Sequence, residues 1–411
     1  MTEENSQRRV TTLWNKNFIC IIICNLLLCL SHFSINPLVA SYTKYLNTSA
    51  QLTGFLTGMF FAVAFLIRPF AGPVMVKIDK RKLLIFVFGI GSVSSLGYAL
   101  FHSVPAFIAF RFLSGVQYSL VGGLIMTLAA DHLPEEKMAS GMGIYGVGGA
   151  LGNAVAPALG VELLNFGTRI KGEGFGFSLA FLFSAVILAA AVIPAAIIDP
   201  DRKTKEDIAT AGAWYKNIFT VHALPTMILI LLVMVPNSIL NTYMIEFGKA
   251  QGISGISVFF TVFAVAMIVT RPISGYLVDR FGVEKIIIPV LVIYAAGLYI
   301  AGSSSSLGTL LLAAVLVAIG FGTAQPSIQA MCIQSVTPLK RGVASNTIYM
   351  GADLGLFTGP FLGAFIYEKY SYATMYKTTV LPIFIAIICF AAFLPIYKRR
   401  CSSLRAAGTK L

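Results

Sequence analysis

Residues 68–72 read Arg68-Pro69-Phe70-Ala71-Gly72, and residues 271–275 read Arg271-Pro272-Ile273-Ser274-Gly275, so one Arg-Pro-x-x-Gly pattern returns after 203 positions. The same offset carries Gly152, Pro157 and Gly160 onto Gly355, Pro360 and Gly363. Two separated patterns sharing one offset point to a duplicated unit rather than to chance. The start of each unit matches with a small slip: Asn36 precedes Tyr42 by six positions, and Asn237 precedes Tyr243 by six.

The 411 residues are 57% hydrophobic and only 11% charged, with a mean hydropathy of +0.82. A soluble domain carries roughly 25% charged residues, so this chain has too little charge to cover a water-facing surface. Twelve apolar runs are separated by charge or turn clusters, at about 17–44, 50–76, 83–101, 104–130, 138–165, 175–198, 218–247, 253–278, 286–302, 307–335, 341–366 and 374–397. Each is long enough for a hydrocarbon core of about 30 Å, which needs about 20 residues of helix. Prolines inside these runs are tolerated where neighbouring helices re-satisfy the backbone. The expected fold is an all-α membrane protein, twelve transmembrane helices in two pseudo-symmetric six-helix bundles. Its parts are residues 1–198, a cytoplasmic linker at 199–217, a second bundle at 218–398 and a cytoplasmic tail at 399–411. The first apolar run extends too far for a secretory leader and lacks a small-residue cleavage site, so we expect it to be a span.

The net charge of +13 would suggest nucleic acid in a soluble protein, but the positions of the charges say otherwise. Of 30 Lys and Arg, 21 fall in the tails and loops on the side of the termini, six in the opposite loops, and three (Arg68, Arg111, Arg271) inside runs. Basic residues concentrate on the cytoplasmic side, which places both termini there, in a multi-pass protein of the cell membrane. The six cysteines lie in apolar runs or the tail without CxxC pairs or metal-ligand spacing, so neither metal nor cofactor is expected.

Gly275-Tyr276-Leu277-Val278-Asp279-Arg280-Phe281-Gly282-Val283-Glu284-Lys285 resembles the Gly-x-x-x-Asp-Arg-x-Gly-x-x-Arg/Lys loop signature of the major facilitator superfamily. Arg111-Phe112-Leu113-Ser114-Gly115 in span 4 and Gly143, Gly152, Ala156-Pro157 and Gly160 in span 5 are similar to further signatures of that family, the latter associated with drug antiporters. The resemblance implies two bundles rocking about a midplane site, and a gate in which Gly275, Asp279 and Arg280 brace span 5. The equivalent loop, Gly72 to Lys82, departs from the pattern with Val76 in place of the aspartate. Asp131 at the end of span 4 is the candidate to supply the missing acid, to Lys77 or Arg81, while Gln334 holds its equivalent position. Small residues let membrane helices approach closely, so the glycines of spans 5 and 11 are expected between the two halves.

Ionisable groups inside hydrocarbon are functional candidates by default. Asp353 stands about twelve residues into span 11, near mid-depth at 1.5 Å per residue, and is the candidate proton-coupling residue. Arg111 is a second, able to bind an anionic group or to pair with an acid. Arg68 and Arg271, nearer the cytoplasmic ends, are expected to anchor structure. Asn25, His32 and Asn36 share a face of span 1, Asn237 and Asn241 a face of span 7, Gln325 and Gln329 a face of span 10. His32, Asn36, Arg111, Asn237, Asn241, Gln325 and Gln329 form the candidate substrate-binding set, rich in amides and poor in charge. Drug exporters of this family commonly place an acid in span 1, and none stands between Asn17 and Lys44.

The leading expectation is a monomeric secondary transporter in membrane lipid that exchanges a small organic solute for protons or a counter-solute, with export by proton antiport preferred over coupled uptake of a metabolite or anion. An integral-membrane enzyme would need clustered catalytic groups, and His32, His102, His132 and His222 are scattered. The central linker is too short for a nucleotide-binding domain. Nucleic acid is not an expected partner.

Overall fold

The computed structural model describes residues 12–201 and 214–406; the middle of the expected linker and the outermost residues of both tails lie outside them. Among the described residues the chain is helical and contains no strand. Span 1 runs Lys16–Ile35, through a 3-10 turn at Asn36–Leu38, into Val39–Tyr45. Spans 2 to 6 are Ala50–Lys77, Lys80–Leu100, Val104–Asp131, Met138–Lys171 and Glu173–Ile197. Spans 7 to 11 are Leu224–Ala250, Ser257–Phe281, Val283–Ser303, Leu307–Gln334 and Arg341–Lys369, and span 12 is Tyr372–Thr378 followed by Val380–Ala406. Eleven are long and apolar enough to cross a membrane. Span 11 falls short because it carries Arg341, Asp353, Glu368 and Lys369 among many small polar residues, yet its 29 residues match its neighbours. Its polar groups are buried in protein instead: Arg341, Ser345, Asn346 and Thr347 all belong to the interior.

Local chemistry sets the breaks. Pro37 lies in the 3-10 turn that bends span 1, where its missing N–H removes a helical hydrogen bond. The Asn15, Ser49, Asp79, Ser306 and Ser371 side chains accept from backbone N–H groups of the first turns of spans 1, 2, 3, 10 and 12, satisfying donors that a helix start leaves open. Gly172 and Gly282 both adopt φ +86, a left-handed backbone that glycine takes without steric cost. These two residues permit the abrupt turns from span 5 to 6 and from span 8 to 9.

The duplication read from sequence recurs as packing. Span 1 lies on span 5 as span 7 lies on span 11, span 2 on 4 as 8 on 10, and span 3 on 4 and 6 as 9 on 10 and 12. Between the halves, span 5 packs on span 8 as span 11 packs on span 2, and span 4 meets span 11 as span 10 meets span 5. Lys16 reaches Asp199, Asp131 reaches Lys80 and Arg341, and Lys398 reaches Glu284. Odd spans therefore start, and even spans end, on one face, termed here the terminus face. At the opposite end of the first half, Tyr42 stands edge-on to Phe107, Phe177 and Phe181 at centroid distances of 5.3, 5.1 and 4.9 Å, tying spans 1, 4 and 6 together in a geometry that aromatic rings favour.

The glycines of spans 5 and 11 correct one expectation. Gly143 and Gly146 do face the other half, against Arg271. Gly152 and Gly160 instead face Cys29 and Ser34 of span 1, and Gly355, Gly359 and Gly363 face Met234, Ser238 and Tyr243 of span 7. The repeated glycine pattern therefore seats each half's fifth helix on its own first helix, because the halves meet through only the terminus-side part of spans 5 and 11. A methyl group at Gly160 would run into the Ser34 backbone, whereas one at Gly89 meets nothing within 4 Å. Gly160→Ala should therefore cost about 1–3 kcal/mol as overpacking and melt at lower temperature in detergent, while Gly89→Ala should be neutral or gain up to about 1 kcal/mol. Equal melting of the two variants would contradict this packing.

Candidate functional site

At mid-depth the two halves are joined by an ion pair. Arg68 Nε of span 2 meets Asp353 Oδ2 of span 11, with the two side chains 1% and 10% exposed. The guanidinium also lies 5.8 Å from the Tyr118 ring and 5.2 Å from the Tyr349 ring, and Asn346 Nδ2 donates to the Arg68 carbonyl. Arg68 is therefore not an anchor reaching for the membrane surface but the partner of Asp353. A buried carboxylate is compatible with hydrocarbon only when paired and hydrogen-bonded, and this pair supplies the partner from the opposite bundle.

The repeat places Arg271 where Arg68 stands, but its partners differ. Its Nη1 donates to the Gly146 carbonyl of span 5, and its Nη2 to Gln325 Oε1 at 2.7 Å. The 203-residue offset puts Ala150 at the position of Asp353, so the first half offers no acid there. Arg271, too, is buried between halves instead of snorkelling, and Gln325 is committed to it rather than lining an open site. Between spans 4 and 11, Thr127 Oγ1 donates to Ser345 Oγ at 2.9 Å.

Arg111 lies wholly within the first half. Its Nε donates to the Leu56 carbonyl at 3.3 Å and its guanidinium lies 4.8 Å from the Phe60 ring centre. His32 packs against Phe60 and Tyr118. His32, Asn36, Phe60, Arg111, Ser114 and Gln117 line a cavity of about 20 Å³, enough for a water molecule or two. The polar stripe of span 1 is thus divided: His32 and Asn36 border the cavity, whereas Asn25 Nδ2 donates to the Tyr145 carbonyl at 2.8 Å and belongs to the span 5 contact. In the second half Asn237 and Gln329 are buried, and the exposed Asn241 donates back to the Asn237 carbonyl at 2.8 Å. These three do not join the cavity of His32 and Arg111. The substrate set read from sequence therefore falls into two groups, one in each half.

On the terminus face, Asp279 performs a helix-capping task. Its Oδ1 accepts from Ala139 N at 2.9 Å and its Oδ2 from Ser140 N at 2.8 Å. These are first-turn N–H groups of span 5, where open donors and the helix dipole favour a carboxylate. A Cβ at Gly275 would stand 2.6 Å from the Ala139 carbonyl oxygen, so this glycine lets spans 8 and 5 touch. Among the described residues Arg280 forms no charged pair with an acid: it is exposed, donates to Tyr276 Oη at 3.2 Å and lies over Phe281. In the related loop, Val76 packs on Val343. Asp131 accepts from Lys80 at 2.7 Å and from Arg341 at 3.1 Å, not from Lys77 or Arg81. Lys80 also meets Asp201, at 3.1 Å. Gln334, the counterpart of Asp131, accepts from Tyr397 at 2.6 Å.

Sequence reading missed Arg68 as a partner, together with Lys80, Arg341 and Gln117. A signal existed for the last, since Ser114, Gln117 and Tyr118 follow Arg111 at helical spacings on one face. Pairings between helices far apart in sequence left none.

Two bundles related by an internal repeat, joined at mid-depth by a buried ion pair and at one face by a capped helix, define a membrane transporter of the two-domain kind. A family model described as Major Facilitator Superfamily matches residues 21–260 and 226–408. The chain belongs to that superfamily and is a secondary transporter. It is 25% identical over 356 residues to "Multidrug resistance protein MdtG" of Salmonella choleraesuis, covering 84% of this chain and 86% of that one. It is 21% identical over 353 residues to "Multidrug resistance protein 2" of Bacillus subtilis, covering 81% and 84%. Among solved structures it resembles the transporter FucP in its outward conformation, with TM-score 0.74, 14% identity and coverage of 93% and 98%. It also resembles the human organic anion transporter MFSD10, with TM-score 0.73, 15% identity and coverage of 91% and 98%.

Asp131→Asn removes the charge that Lys80 and Arg341 share, and should cost on the order of 2 kcal/mol, as for hydrogen bonds to charged groups. The readout is a lower melting temperature in detergent, partly restored by adding Arg341→Gln. No change in melting would mean that the three side chains do not interact in solution.

Proposed function

We propose that the protein exports a small organic solute across the cell membrane in exchange for protons, with both termini in the cytoplasm and Asp353 as the proton-carrying group. The observation that carries this reading is the ion pair between Arg68 and Asp353, one partner from each half. Rocking of the halves separates spans 2 and 11. An Asp353 left without Arg68 in a low-dielectric setting favours its protonated form, and a protonated Asp353 in turn releases Arg68. Proton uptake and the separation of the halves are therefore coupled through one bond.

The state captured supports a direction for the cycle. The polar contacts between halves, from Arg68–Asp353 down to Asp279 and the start of span 5, lie between mid-depth and the terminus face. With 21 of 30 basic residues on that face, it is the cytoplasmic one, and the closed gate is the inner gate. Protons then arrive from outside, break the pair, and leave to the cytoplasm after the halves rock. Asp279, Gly275 and Asp131 hold the inner gate. The drug-resistance names of the relatives favour export over uptake, and His32, Asn36, Arg111, Asn237, Asn241 and Gln329 are the groups on which the solute is handed between halves.

In liposomes with an internal pH dye, Asp353→Asn should abolish solute-dependent proton flux while leaving solute binding intact; coupled flux that survives would reject its role. Asp279→Asn should increase labelling, from the cytoplasmic side, of a single cysteine introduced as Thr127→Cys in a cysteine-free background. Labelling that stays unchanged would remove Asp279 from the gate.

A further inference from the structure

Spans 7, 10 and 12 do not close against one another at the terminus face. Between the 3-10 turn Val221–Ala223 that leads into span 7, Ser335 at the end of span 10 and the last turns of span 12 lies a cavity of about 70 Å³, several times the room one water needs. Leu229, Met331, Phe393 and Ile396 give it an apolar wall, and Arg400 and His222 line its terminus end. Seven residues separate Phe393 from Arg400, about 10 Å along a helix. The cavity therefore runs from the level of a charged helix end into the depth of the hydrocarbon, the distance over which a bilayer passes from headgroups to acyl chains. Val221 and Ile396 are 67% and 60% exposed, and span 12 packs on spans 7 and 9 of its own half. The opening thus lies on the outer flank of the second bundle, where lipid stands.

The hydroxyl groups of the wall are engaged within the protein. Thr226 Oγ1 donates to the Ala223 carbonyl at 2.8 Å, Ser335 Oγ to the Cys332 carbonyl at 2.7 Å and Tyr397 Oη to Gln334 Oε1 at 2.6 Å. The charged end differs. Arg400 is held by its Nε, which donates to the Ser335 carbonyl at 3.3 Å, and among the described residues its two terminal nitrogens meet no acceptor. A guanidinium is a fork of N–H donors suited to two oxygens at once, so the outer prongs of this fork are available. The exposed His222 ring adds an imidazole N–H at the same end. Residues 208–245, 285–352 and 369–411 contain no aspartate or glutamate, so spans 7, 10 and 12 bring no counter-charge of their own to this end. The exposed Arg399 adds a further positive charge, whereas Lys398 is answered by Glu284 at 3.2 Å.

A ligand that fits both ends carries an anionic oxygen group joined to an apolar chain, and it enters from the lipid side. Basic pockets between membrane helices gather anionic headgroups. We propose that the cavity between spans 7, 10 and 12 is a binding site for an anionic phospholipid. Its phosphodiester oxygens accept from the terminal nitrogens of Arg400 and from the His222 ring, and the first methylenes of one acyl chain lie along Leu229, Met331, Phe393 and Ile396. A zwitterionic headgroup brings its own cation, which Arg399 and Arg400 repel, so the site selects for net negative charge. The bound lipid ties the ends of three helices of the second bundle together, whatever the direction or coupling of transport.

The test is the melting temperature of the purified full chain in a non-ionic detergent, at constant pH and ionic strength, as dioleoylphosphatidylglycerol is titrated into the micelles. The melting temperature should rise saturably. Dioleoylphosphatidylcholine, with the same acyl chains, should need a mole fraction higher by about tenfold or more, and inorganic phosphate or glycerol 1-phosphate should not reproduce the rise. Arg400→Gln should raise the half-saturating mole fraction of phosphatidylglycerol by about tenfold or more, as expected for loss of a charged donor. Arg399→Gln removes the same charge from an exposed neighbour outside the cavity and should change it by less than about threefold, because exposed charges are screened. An equal response to phosphatidylcholine, or equal losses in the two variants, would reduce the effect to general surface charge and overturn the site. Saturable stabilisation by inorganic phosphate to the same extent would make it a site for a soluble anion and overturn the lipid assignment. The headgroup comparison uses the unaltered chain, so it decides the matter even if Arg400→Gln unfolds.

Discussion

Taking a guanidinium out of water costs several kcal/mol even after the surroundings relax, and three of them stand inside the hydrocarbon-spanning part of this chain. Each has been answered differently. Arg68 meets a carboxylate from the opposite bundle, Arg271 meets a backbone carbonyl and the Gln325 amide, and Arg111 meets a carbonyl and an aromatic face. Much of the remaining architecture follows. The first two place the contacts between halves at spans 2, 5, 8 and 11. The third stands beside a small cavity inside one half, lined by both polar and apolar side chains.

The same requirement explains what could be read from the sequence. The repeat was legible because Arg-Pro-x-x-Gly and the glycine spacings survive in both halves, and they prescribe the helix pairs that recur in the packing. That both ends of the bundle pair share one face was legible from the even number of runs. What the glycines touch was not: a small residue signals a close neighbour without saying which one, and most of those in spans 5 and 11 chose the first helix of their own half. Asp279 at the start of span 5 was readable because its loop signature is intact. Asp131 was recognised as a replacement acid, but its partners were misplaced, since Lys80 and Arg341 each begin a helix and project along the face where span 4 ends. Arg68 and Asp353 both stood out as buried charges, yet their pairing depends on how two bundles dock, which no local pattern encodes.

The terminus face shows how a lost aspartate is accommodated. On the side where spans 5 and 8 meet, Asp279 holds the open N–H groups of a helix. On the side where spans 2 and 11 meet, Val76 packs on Val343 and Asp131 reaches Arg341 across the halves. The close approach allowed by Gly275 has its counterpart at Gly72, but there the space is filled by the backbone carbonyl of Asn217 at the far end of the linker. A segment that joins the bundles covalently thus occupies the groove that a helix start occupies on the other side, and Lys340 donates to the Asn217 side chain beside it.

The unequal treatment of Arg68 and Arg271 has a mechanical consequence. At mid-depth, one long edge of the contact between bundles is held by a group that can take up a proton, and the other by a carbonyl and an amide that cannot. With Asp353 as the proposed proton carrier, a proton arriving at this level would loosen only one edge. The bundles would then part as the covers of a book do, with spans 5 and 8 as the spine and spans 2 and 11 as the free edge, so that the axis of motion is displaced from the symmetry axis of the fold.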